Sequence, residues 1–303
     1  MKQNEQFHEP VLTHEVIEGI GAPLNSQAQI IDATLGTGGH SLELIKNGYS
    51  VLGIEADTDI YEVAKKRISI ACPASKKSFG RYTLVCGNFK DIDLIAANNN
   101  VGRVAAVLFD LGVSNLQLTD SQRGFSFGSP EAPLDMRIDR SAQGLSGADL
   151  LNALREDQLV VLFGRVVKRF TAKKLARETI RLRTIKKIET VEDLLRISSV
   201  VRGKPHLDPA TLPFLALRIA VNSELENLKE ALPKAWSLLG YKGRLIIISF
   251  HSLEETIVRD FFKRMEDLGS GKIVTAQPVR PGEKELTANP RARSAKLNII
   301  EKK

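Results

Sequence analysis

Three carboxylates in the first half of the chain lie where apolar segments end. Asp110 follows five consecutive apolar residues, Glu55 ends a second apolar segment, and Asp32 stands just before a glycine-rich turn. A carboxylate at the end of a buried strand can accept hydrogen bonds from the hydroxyl or amine groups of a ligand. These residue types and positions predict a ligand site bordered by the three acids.

The glycine-rich turn LGTGGHS supplies a second part of that site. Gly36, Gly38 and Gly39 allow a tight turn and a close approach of the backbone to a ligand. Glu55 follows Gly36 by 19 residues (55 − 36), near the spacing at which an acid contacts a ribose diol. The pattern therefore favours a nucleoside cofactor over the alternative of a purely structural turn.

Two nucleoside cofactors, NAD and S-adenosylmethionine, are compatible with these residues. The turn is not a full GxGxxG, which weakens a diphosphate-binding interpretation. S-adenosylmethionine has an amino-acid tail and no diphosphate, so its site can carry acids where a dinucleotide site prefers helix N-termini and neutral turns. Asp32 and Asp110 therefore favour S-adenosylmethionine, and an NAD-dependent oxidoreductase is the alternative from another class.

The elements that must position these residues alternate between strand and helix. The pattern predicts strands at Gln29–Ala33, Ser50–Glu55, Tyr82–Cys86, Val104–Phe109, Leu245–Ile248 and Ser294–Ile300, with helices at His40–Asn47 and Thr58–Ile70. Apolar strands joined by helices imply a parallel sheet with right-handed crossovers and both faces covered. The predicted fold class is α/β and Rossmann-like, with a mainly parallel sheet.

The middle of the chain is different. Between residues 115 and 208 helical patterns replace the alternation. Arg165–Lys187 holds ten basic residues and one acid, a net charge of +9, whereas the whole chain has a net charge of +7. Lys173, Arg177 and Arg181 recur every four residues on one face of a predicted helix. This concentration indicates a polyanionic partner, and the alternatives are an anionic membrane surface and a simply solvated helix.

The cysteines and the N-terminal residues bear on the cellular location of the protein. Cys72 and Cys86 have no CxxC spacing, which argues against a zinc site or a disulfide framework, and no ligand cluster requires a protein-bound metal. The N-terminal residues contain no apolar signal core, and no segment approaches the length of a membrane span. We therefore expect a cytoplasmic protein with no membrane partner.

Eight longer motifs occur in an order that is itself informative. They are HEPVLTHEV, DATLGTGGHS, LFDLGVSNLQL, RGFSF, APLDMRID, AVNSELENL, GRLIIISFHSLEE and NPRARSAKL. On these motifs the chain resembles the bacterial small-subunit ribosomal RNA methyltransferase H family over almost its full length. The resemblance implies a class I methyltransferase that moves a methyl group from S-adenosylmethionine to N4 of a cytidine in the decoding-centre helix of 16S rRNA. Its partner would be 16S rRNA or the assembled small subunit.

The resemblance also implies roles for individual residues. The family's cofactor positions fall on Gly38, Gly39, His40, Glu55, Phe89, Asp110 and Gln117. The residue types themselves add Asp32 and Gly36 to this set. Glu55 stands where the family usually has Asp, which keeps the carboxylate and adds a methylene.

Five residues are candidates for the catalytic step: Asp110, Asp135, Arg137, Ser249 and His251. Attack by an exocyclic amine requires the nitrogen to be held in line with its lone pair freed, and an acceptor for its hydrogens would do this. Structural roles are the alternatives. Arg137 could pair with Asp135 or Asp139 to hold a loop, and Ser249 or His251 could cap the following helix.

The predicted organisation is a discontinuous methyltransferase domain, residues 1–114 and 210–303, with an inserted helical RNA-substrate domain, residues 115–209. Arg291 and Arg293 join Lys173, Arg177 and Arg181 as candidate RNA contacts, with a structural arginine pair as the alternative. A helix is expected from Pro213, at its first position, to Leu232 before Pro233.

Departures from the family pattern leave a second interpretation of the whole chain. Residues 163–166 read FGRV where the family usually has Tyr-Gly-Glu-Glu, and residues 213–218 read PFLALR where it has Thr-Phe-Gln-Ala-Leu-Arg. A noncatalytic rRNA-binding relative that retains the fold is therefore an alternative. The sequence leaves the oligomeric state open, a homodimer included.

Overall fold

The computed structural model describes residues 10–21, 28–73, 79–201 and 208–303. Most of the N-terminal stretch that was expected to lack a signal core therefore lies outside the described residues, as do the first two residues of HEPVLTHEV. The chain forms two compact units. We call Met1–Val113 with Leu225–Lys303 the sheet unit and Ser114–Glu224 the helical unit.

The sheet unit is built on seven strands in the order β3-β2-β1-β4-β5-β7-β6. The strands are β1 (Gln29–Asp32), β2 (Ser50–Glu55), β3 (Tyr82–Cys86), β4 (Val104–Asp110), β5 (Leu239–Ser249), β6 (Gly271–Ile273) and β7 (Lys296–Lys302). The first five strands pair in parallel, and β7 runs antiparallel to β5 and β6. The predicted α/β, Rossmann-like class with a mainly parallel sheet is confirmed.

Helices cover this sheet. They are α1 (Thr13–Ile20), α2 (Gly39–Lys46), α3 (Thr58–Ala71), α4 (Ile92–Asn98), α11 (Glu224–Leu238), α12 (Ser252–Asp267) and α13 (Glu283–Ala288). The predicted strands β2 and β3 have the bounds that the pattern gave. Helix α2 begins and ends one residue earlier than predicted, and α3 ends one residue later. Cys72 is buried, Cys86 is exposed, and both are free thiols.

The two faces of the sheet carry separate apolar cores, and this alternation decides where the strand-end acids point. Along β4, Val107 and Phe109 belong to one core while Leu108 belongs to the other, because side chains alternate between faces. Asp110 therefore continues the face of Leu108. Apolar residues of α2 belong to the core on that same face, so the end of β4 and the start of α2 are brought together.

Strand β5 is longer than the sequence indicated. It begins at Leu239 rather than Leu245, and its pairing with β4 shifts register between Val104 and Ala106. Lys242 takes a left-handed backbone with φ of 59° in this irregular stretch. The polar run YKGR concealed the first part of the strand, because a bulge places residues outside the apolar pattern of a buried strand.

The helical unit contains six helices within its described residues, 114–201 and 208–224. They are α5 (Asn115–Thr119), α6 (Gly147–Ala153), α7 (Glu156–Gly164), α8 (Arg169–Ile185), α9 (Val191–Ser198) and α10 (Thr211–Asn222). The predicted change from alternation to helices is therefore observed. No helix in the described parts of either unit combines the length and apolar character needed to cross a membrane.

The return to the sheet unit comes later than the expected boundary at residues 209 and 210, because α10 packs within the helical unit. Its Phe214 ring meets Phe127 edge to face at 5.6 Å. Its Asn222 amide donates to the Met136 carbonyl oxygen at 2.8 Å and accepts from the Ile138 N–H at 2.8 Å. These contacts join α10 to the loop that carries the APLDMRID motif.

The single helix expected from Pro213 to Leu232 is wrong. The chain breaks at Ser223, which has a left-handed φ of 49°, and forms α10 and α11 instead. Pro213 is the third residue of α10 rather than the first, a position where its missing N–H costs no intrahelical hydrogen bond. Pro233 lies inside α11 rather than after it, in a helix whose apolar face is buried in the sheet unit's core.

Candidate functional site

The glycine turn after β1 is held by the acid at the end of β2. Gly36 and Gly38 have φ of 52° and 82°, values that favour glycine. The Gly36 N–H donates to Oε2 of Glu55 at 2.8 Å, and the Asp57 N–H donates to Oε1 at 2.9 Å. A Cβ at Gly38 would lie 2.9 Å from Cδ1 of Ile68. The turn is thus constrained both by its backbone angles and by its packing.

Glu55 is partly buried at the end of β2. Burial raises the pKa of its carboxyl to about 7, although the N–H bonds from Asp57 and Gly36 act in the opposite direction. Each carboxylate oxygen has a second lone pair beyond the backbone bond it accepts. The carboxylate can therefore hold the turn and still accept from a hydroxyl, and its predicted contact with a ribose diol stays a prediction.

Asp32 lies beneath the turn. Its side chain is 1% exposed, Oδ2 accepts from the Ser41 hydroxyl at 2.7 Å, and Oδ1 accepts from the Thr34 N–H at 3.3 Å. Burial raises its pKa, against the lowering effects of His40 and of these hydrogen bonds. These bonds assign Asp32 to ordering the turn and the start of α2. Direct contact between Asp32 and a cofactor stays a prediction.

His40 links two parts of the site. Its Nε2 lies 2.8 Å from the carbonyl oxygen of Val11, which can only accept, so Nε2 carries a hydrogen. Its Nδ1 lies 3.5 Å from Oδ2 of Asp110. The ring and the carboxyl group therefore lie close enough to interact electrostatically.

Asp110, at the end of β4, has a fixed backbone and one buried carboxylate oxygen with no hydrogen-bond partner among the described residues. Its backbone N–H donates to the Thr34 hydroxyl oxygen at 2.6 Å, which fixes the end of β4 against the turn. Its Oδ1 is buried and accepts no hydrogen bond from any residue that the structure describes. Burial raises its pKa to about 6, against the lowering effect of His40. A buried acceptor with no partner fits a site that receives a donor from a ligand.

Two further predicted cofactor residues lie in different units. Phe89 is part of a short 3₁₀ turn after β3, where its ring meets Phe109 edge to face at 5.6 Å. Gln117 belongs to the helical unit, is 4% exposed, and forms a capping box with Ser114 at the start of α5. Cofactor contact stays a prediction for both residues.

The SFHSLEE motif ends β5 and begins α12. Ser249 is fully buried and donates to Oε2 of Glu255 at 2.8 Å, and the Asn298 amide donates to the same oxygen at 3.0 Å. Sequence reasoning missed Glu255 and Asn298, because only the fold brings β7 beside this motif. The network favours a supporting role for Ser249, and its catalytic role stays a prediction.

His251 is the N-cap of α12. Its Nδ1 accepts from the Glu254 N–H at 3.3 Å, and Oε2 of Glu254 accepts from the backbone N–H groups of Phe250 and His251. The predicted capping alternative is therefore what the structure contains. These bonds leave catalysis by His251 a prediction without geometric support of its own.

The DMR loop of the helical unit is held by an ion pair. The Nε of Arg137 donates to Oδ1 of Asp135 at 2.7 Å, and the Nη2 donates to Oδ2 at 3.1 Å. Burial alone would raise the pKa of Asp135, but the hydrogen bonds and charge of Arg137 outweigh burial and lower it. Arg140 lies 3.2 Å from the same carboxylate. The alternative in which Arg137 pairs with Asp135 and holds the loop is thus observed, and their catalytic roles stay predictions.

The same loop contains a strained residue that the sequence did not reveal. Met136 is buried and has a left-handed φ of 61°, which is uncommon for a residue with a side chain. The Arg123 carbonyl oxygen accepts from the Met136 N–H, and the Arg123 guanidinium donates to the Arg137 and Ile138 carbonyl oxygens. A Met gives no sequence signal for this backbone conformation.

Comparison with known proteins decides the class of this site. The family model described as the MraW methylase family matches residues 5–303. The chain belongs to the MraW methylase family. It is therefore a methyltransferase, and the NAD-dependent oxidoreductase that the glycine turn left open is excluded.

Individual relatives of this methylase align over nearly their whole length. A protein from Dictyoglomus thermophilum named Ribosomal RNA small subunit methyltransferase H is 38% identical over 100% of this chain and 99% of its own. A protein of the same name from Sulfurihydrogenibium azorense is 39% identical over 96% and 98%. A solved rRNA methylase from Streptococcus thermophilus is 12% identical over 95% of each chain, with a TM-score of 0.43.

The candidate RNA contacts of the methylase on α8 differ in their pairing. Arg177 lies 3.3 Å from Glu156, and Arg181 lies 2.6 Å from Glu178. Lys173 has no ion pair with any residue that the structure describes. The positive face predicted on this helix is therefore present but partly neutralised, and RNA contact by all three residues stays a prediction.

Arg291 and Arg293 are exposed in a short 3₁₀ turn, Pro290–Ser294, just before β7. Within the described ranges neither makes an ion pair or a side-chain hydrogen bond. The alternative of a structural arginine pair therefore has no contacts to support it, and contact with RNA stays a prediction.

Proposed function

We propose that this methylase transfers the methyl group of S-adenosylmethionine to N4 of a cytidine in the decoding-centre helix of 16S rRNA. The observation that carries the proposal is the buried, unpartnered Oδ1 of Asp110 beside the glycine turn. The names of the relatives support rRNA of the small subunit as the substrate class. The residue motifs shared with that family support the cytidine N4 position.

The residues around the glycine turn fit the cofactor. Gly36, Gly38 and His40 would line its amino-acid end, Glu55 would accept from its ribose, and Phe89 would face its adenine. When bound, S-adenosylmethionine supplies a methyl group on a positively charged sulfur. Because Glu55 and Asp110 are acids of raised pKa, a positive charge nearby would favour their ionised forms.

The carboxylate of Asp110 would act on the accepting amine. Its ionised Oδ1 can accept a hydrogen bond from N4, which holds the nitrogen and frees its lone pair for attack. As N4 takes the methyl group and the bond from that group to sulfur breaks, N4 must lose one proton, and the ionised Oδ1 of Asp110 could receive it. His40, whose Nδ1 lies 3.5 Å from Oδ2 of Asp110, lowers the pKa of this carboxyl and so favours its ionised form.

The helical unit would bind the rRNA. Lys173, Arg177 and Arg181 would contact phosphates, which fixes position without reading sequence. The choice of cytidine would then depend on a pocket that admits an unstacked base. We place this activity in the cytoplasm, acting on 16S rRNA or on the assembled small subunit.

Nucleoside mass spectrometry of small-subunit rRNA tests the proposal. Cells lacking the gene should lose N4-methylcytidine at one rRNA position, and purified protein with S-adenosylmethionine should restore it. Unchanged N4-methylcytidine would contradict the proposed reaction. If the purified protein still bound the rRNA in that case, the noncatalytic rRNA-binding relative would replace the enzyme.

A further inference from the structure

Helix α8 presents a continuous stripe of side chains on one face. Phe170 lies three and four residues before Lys173 and Lys174, Arg177 follows these two by four and three residues, and Arg181 follows Arg177 by four. Residues at these spacings are neighbours on one face of a helix. All five are exposed. The stripe thus begins with an aromatic ring and continues with four cations.

The cations of the stripe fall into two groups. Arg177 and Arg181 are paired with Glu156 and Glu178. Lys173 and Lys174 have no carboxylate partner among the residues that the structure describes. The uncompensated positive charge of the stripe is therefore concentrated at its Phe170 end.

Phe170 is a large apolar residue with an exposed side chain. Its side chain is 71% exposed, whereas the core of the helical unit is already filled by residues such as Phe163, which is fully buried. The Nζ of Lys174 lies 4.7 Å from the centre of the Phe170 ring. A cavity of about 900 Å³ between α7 and α8 has Lys173 and Arg177 of the stripe in its lining but not Phe170, and Glu156, Asp157, Val160 and Val161 of α7 line its other side.

We propose that Phe170 is a stacking platform for an unpaired base of the rRNA substrate, with Lys173 and Lys174 contacting the adjacent phosphates. The proposal rests on the proposed function, since that function supplies an rRNA partner in which at least one base is unstacked. An exposed ring flanked by unpaired cations matches the way proteins bind single strands, in which bases stack on aromatic side chains and a positive surface follows the backbone. Double-stranded RNA would leave the ring unused because its bases are already stacked.

Binding of short single-stranded probes tests the proposal directly. The probes are a labelled oligocytidylate and an abasic strand of equal length, which has the same phosphates and no bases. Phe170→Ala should weaken binding of the oligocytidylate about tenfold, within the range measured for stacking on one aromatic side chain, and should leave the abasic strand unaffected. Phe170→Tyr should restore the affinity. Equal affinity of Phe170→Ala and the unaltered protein for the oligocytidylate would overturn the proposal.

Two matched variants control for the loss of an exposed apolar side chain. Ile185 is 68% exposed at the end of the same helix, 15 residues beyond Phe170 (185 − 170), and Tyr241 is 79% exposed beside Lys242 in the sheet unit. Ile185→Ala and Tyr241→Ala should both bind the oligocytidylate as the unaltered protein does. A loss in either control as large as that of Phe170→Ala would contradict a specific role for Phe170.

The charged and aromatic parts of the surface should also separate by salt dependence. Lys173→Ala should reduce the slope of log affinity against log salt by about 0.7, whereas Phe170→Ala should leave it unchanged. Methyl transfer to rRNA by the unaltered protein separates a failure of the stacking role of Phe170 from a failure of the proposed function. If transfer occurs and Phe170→Ala binds normally, only the stacking platform fails. If no transfer occurs, the proposed function fails.

Discussion

The glycine turn of the sheet unit and the stripe on α8 use polar groups in opposite ways. Around the turn, Asp32 and Glu55 are held by hydrogen bonds to neighbouring backbone or hydroxyl groups, and Asp110 has one buried oxygen without a partner. Along the stripe the charges are exposed, and among the described residues only Arg177 and Arg181 of the stripe have carboxylate partners. The glycine turn therefore depends on close packing and fixed hydrogen bonds, whereas the stripe depends on solvent-exposed charges.

This difference indicates how each region would tolerate change. A buried acceptor or a glycine with φ near 80° depends on positions fixed to a fraction of an ångström. An exposed cation acts over several ångströms and is screened by salt. We therefore expect single substitutions at the turn to have large effects and substitutions along the stripe to have small, additive ones.

The largest stability effect is expected at Gly38. Gly38→Ala adds both the strain of a φ of 82° and a contact at 2.9 Å with Ile68, and should lower the free energy of unfolding by about 2 kcal/mol. Gly48 is the matched control, because its φ is 86° and a Cβ there meets nothing within 4 Å. Gly48→Ala should cost about 1 kcal/mol. Equal losses in urea unfolding would show that packing around the turn is unimportant.

A second effect concerns pH. The pKa of Glu55 is raised from 4.5 to about 7, so the folded protein binds this proton more tightly than the unfolded chain does. The resulting stability is fully present below pH 4.5 and is lost as the pH rises through about 7. Glu55→Gln should therefore flatten the fall in unfolding free energy between pH 5 and pH 7, with the part due to Asp110 retained. An unchanged slope would contradict the raised pKa of Glu55.

The smallest effect separates paired from unpaired cations. Lys173→Ala should weaken rRNA binding more than Arg177→Ala, because Arg177 already has Glu156 as a partner. Each lost phosphate contact lowers the salt slope by about 0.7. Charge reversal at both positions should weaken binding further. Titrations at several salt concentrations would contradict this assignment if the two alanine variants were indistinguishable from the unaltered protein.

Local sequence patterns predicted the parts of this molecule that depend on neighbouring residues. The apolar runs of β2 and β4 and the glycine turn are such features. The break at Ser223 and the hidden start of β5 at Leu239 were missed, because in both places tertiary packing overrides the local pattern.

The chemistry of the site was predicted less completely. Its acids and motifs were visible in the sequence, but their partners were not. Oδ1 of Asp110 is unpartnered only because β1, β4 and α2 meet there, and the bond from Ser249 to Glu255 depends on how α12 leaves β5. The left-handed backbone of Met136 lies in a motif that was recognised without any sign of strain.

The most direct test of the central claim is single-turnover methyl transfer to 16S rRNA by Asp110→Asn, with cofactor saturation measured separately. The substitution keeps the shape of the side chain and removes its capacity to receive a proton. We predict transfer slowed roughly a hundredfold at saturating S-adenosylmethionine, with the N4-methylcytidine product unchanged. Transfer at the unaltered rate would contradict the assignment of Asp110 as the group that accepts from the amine.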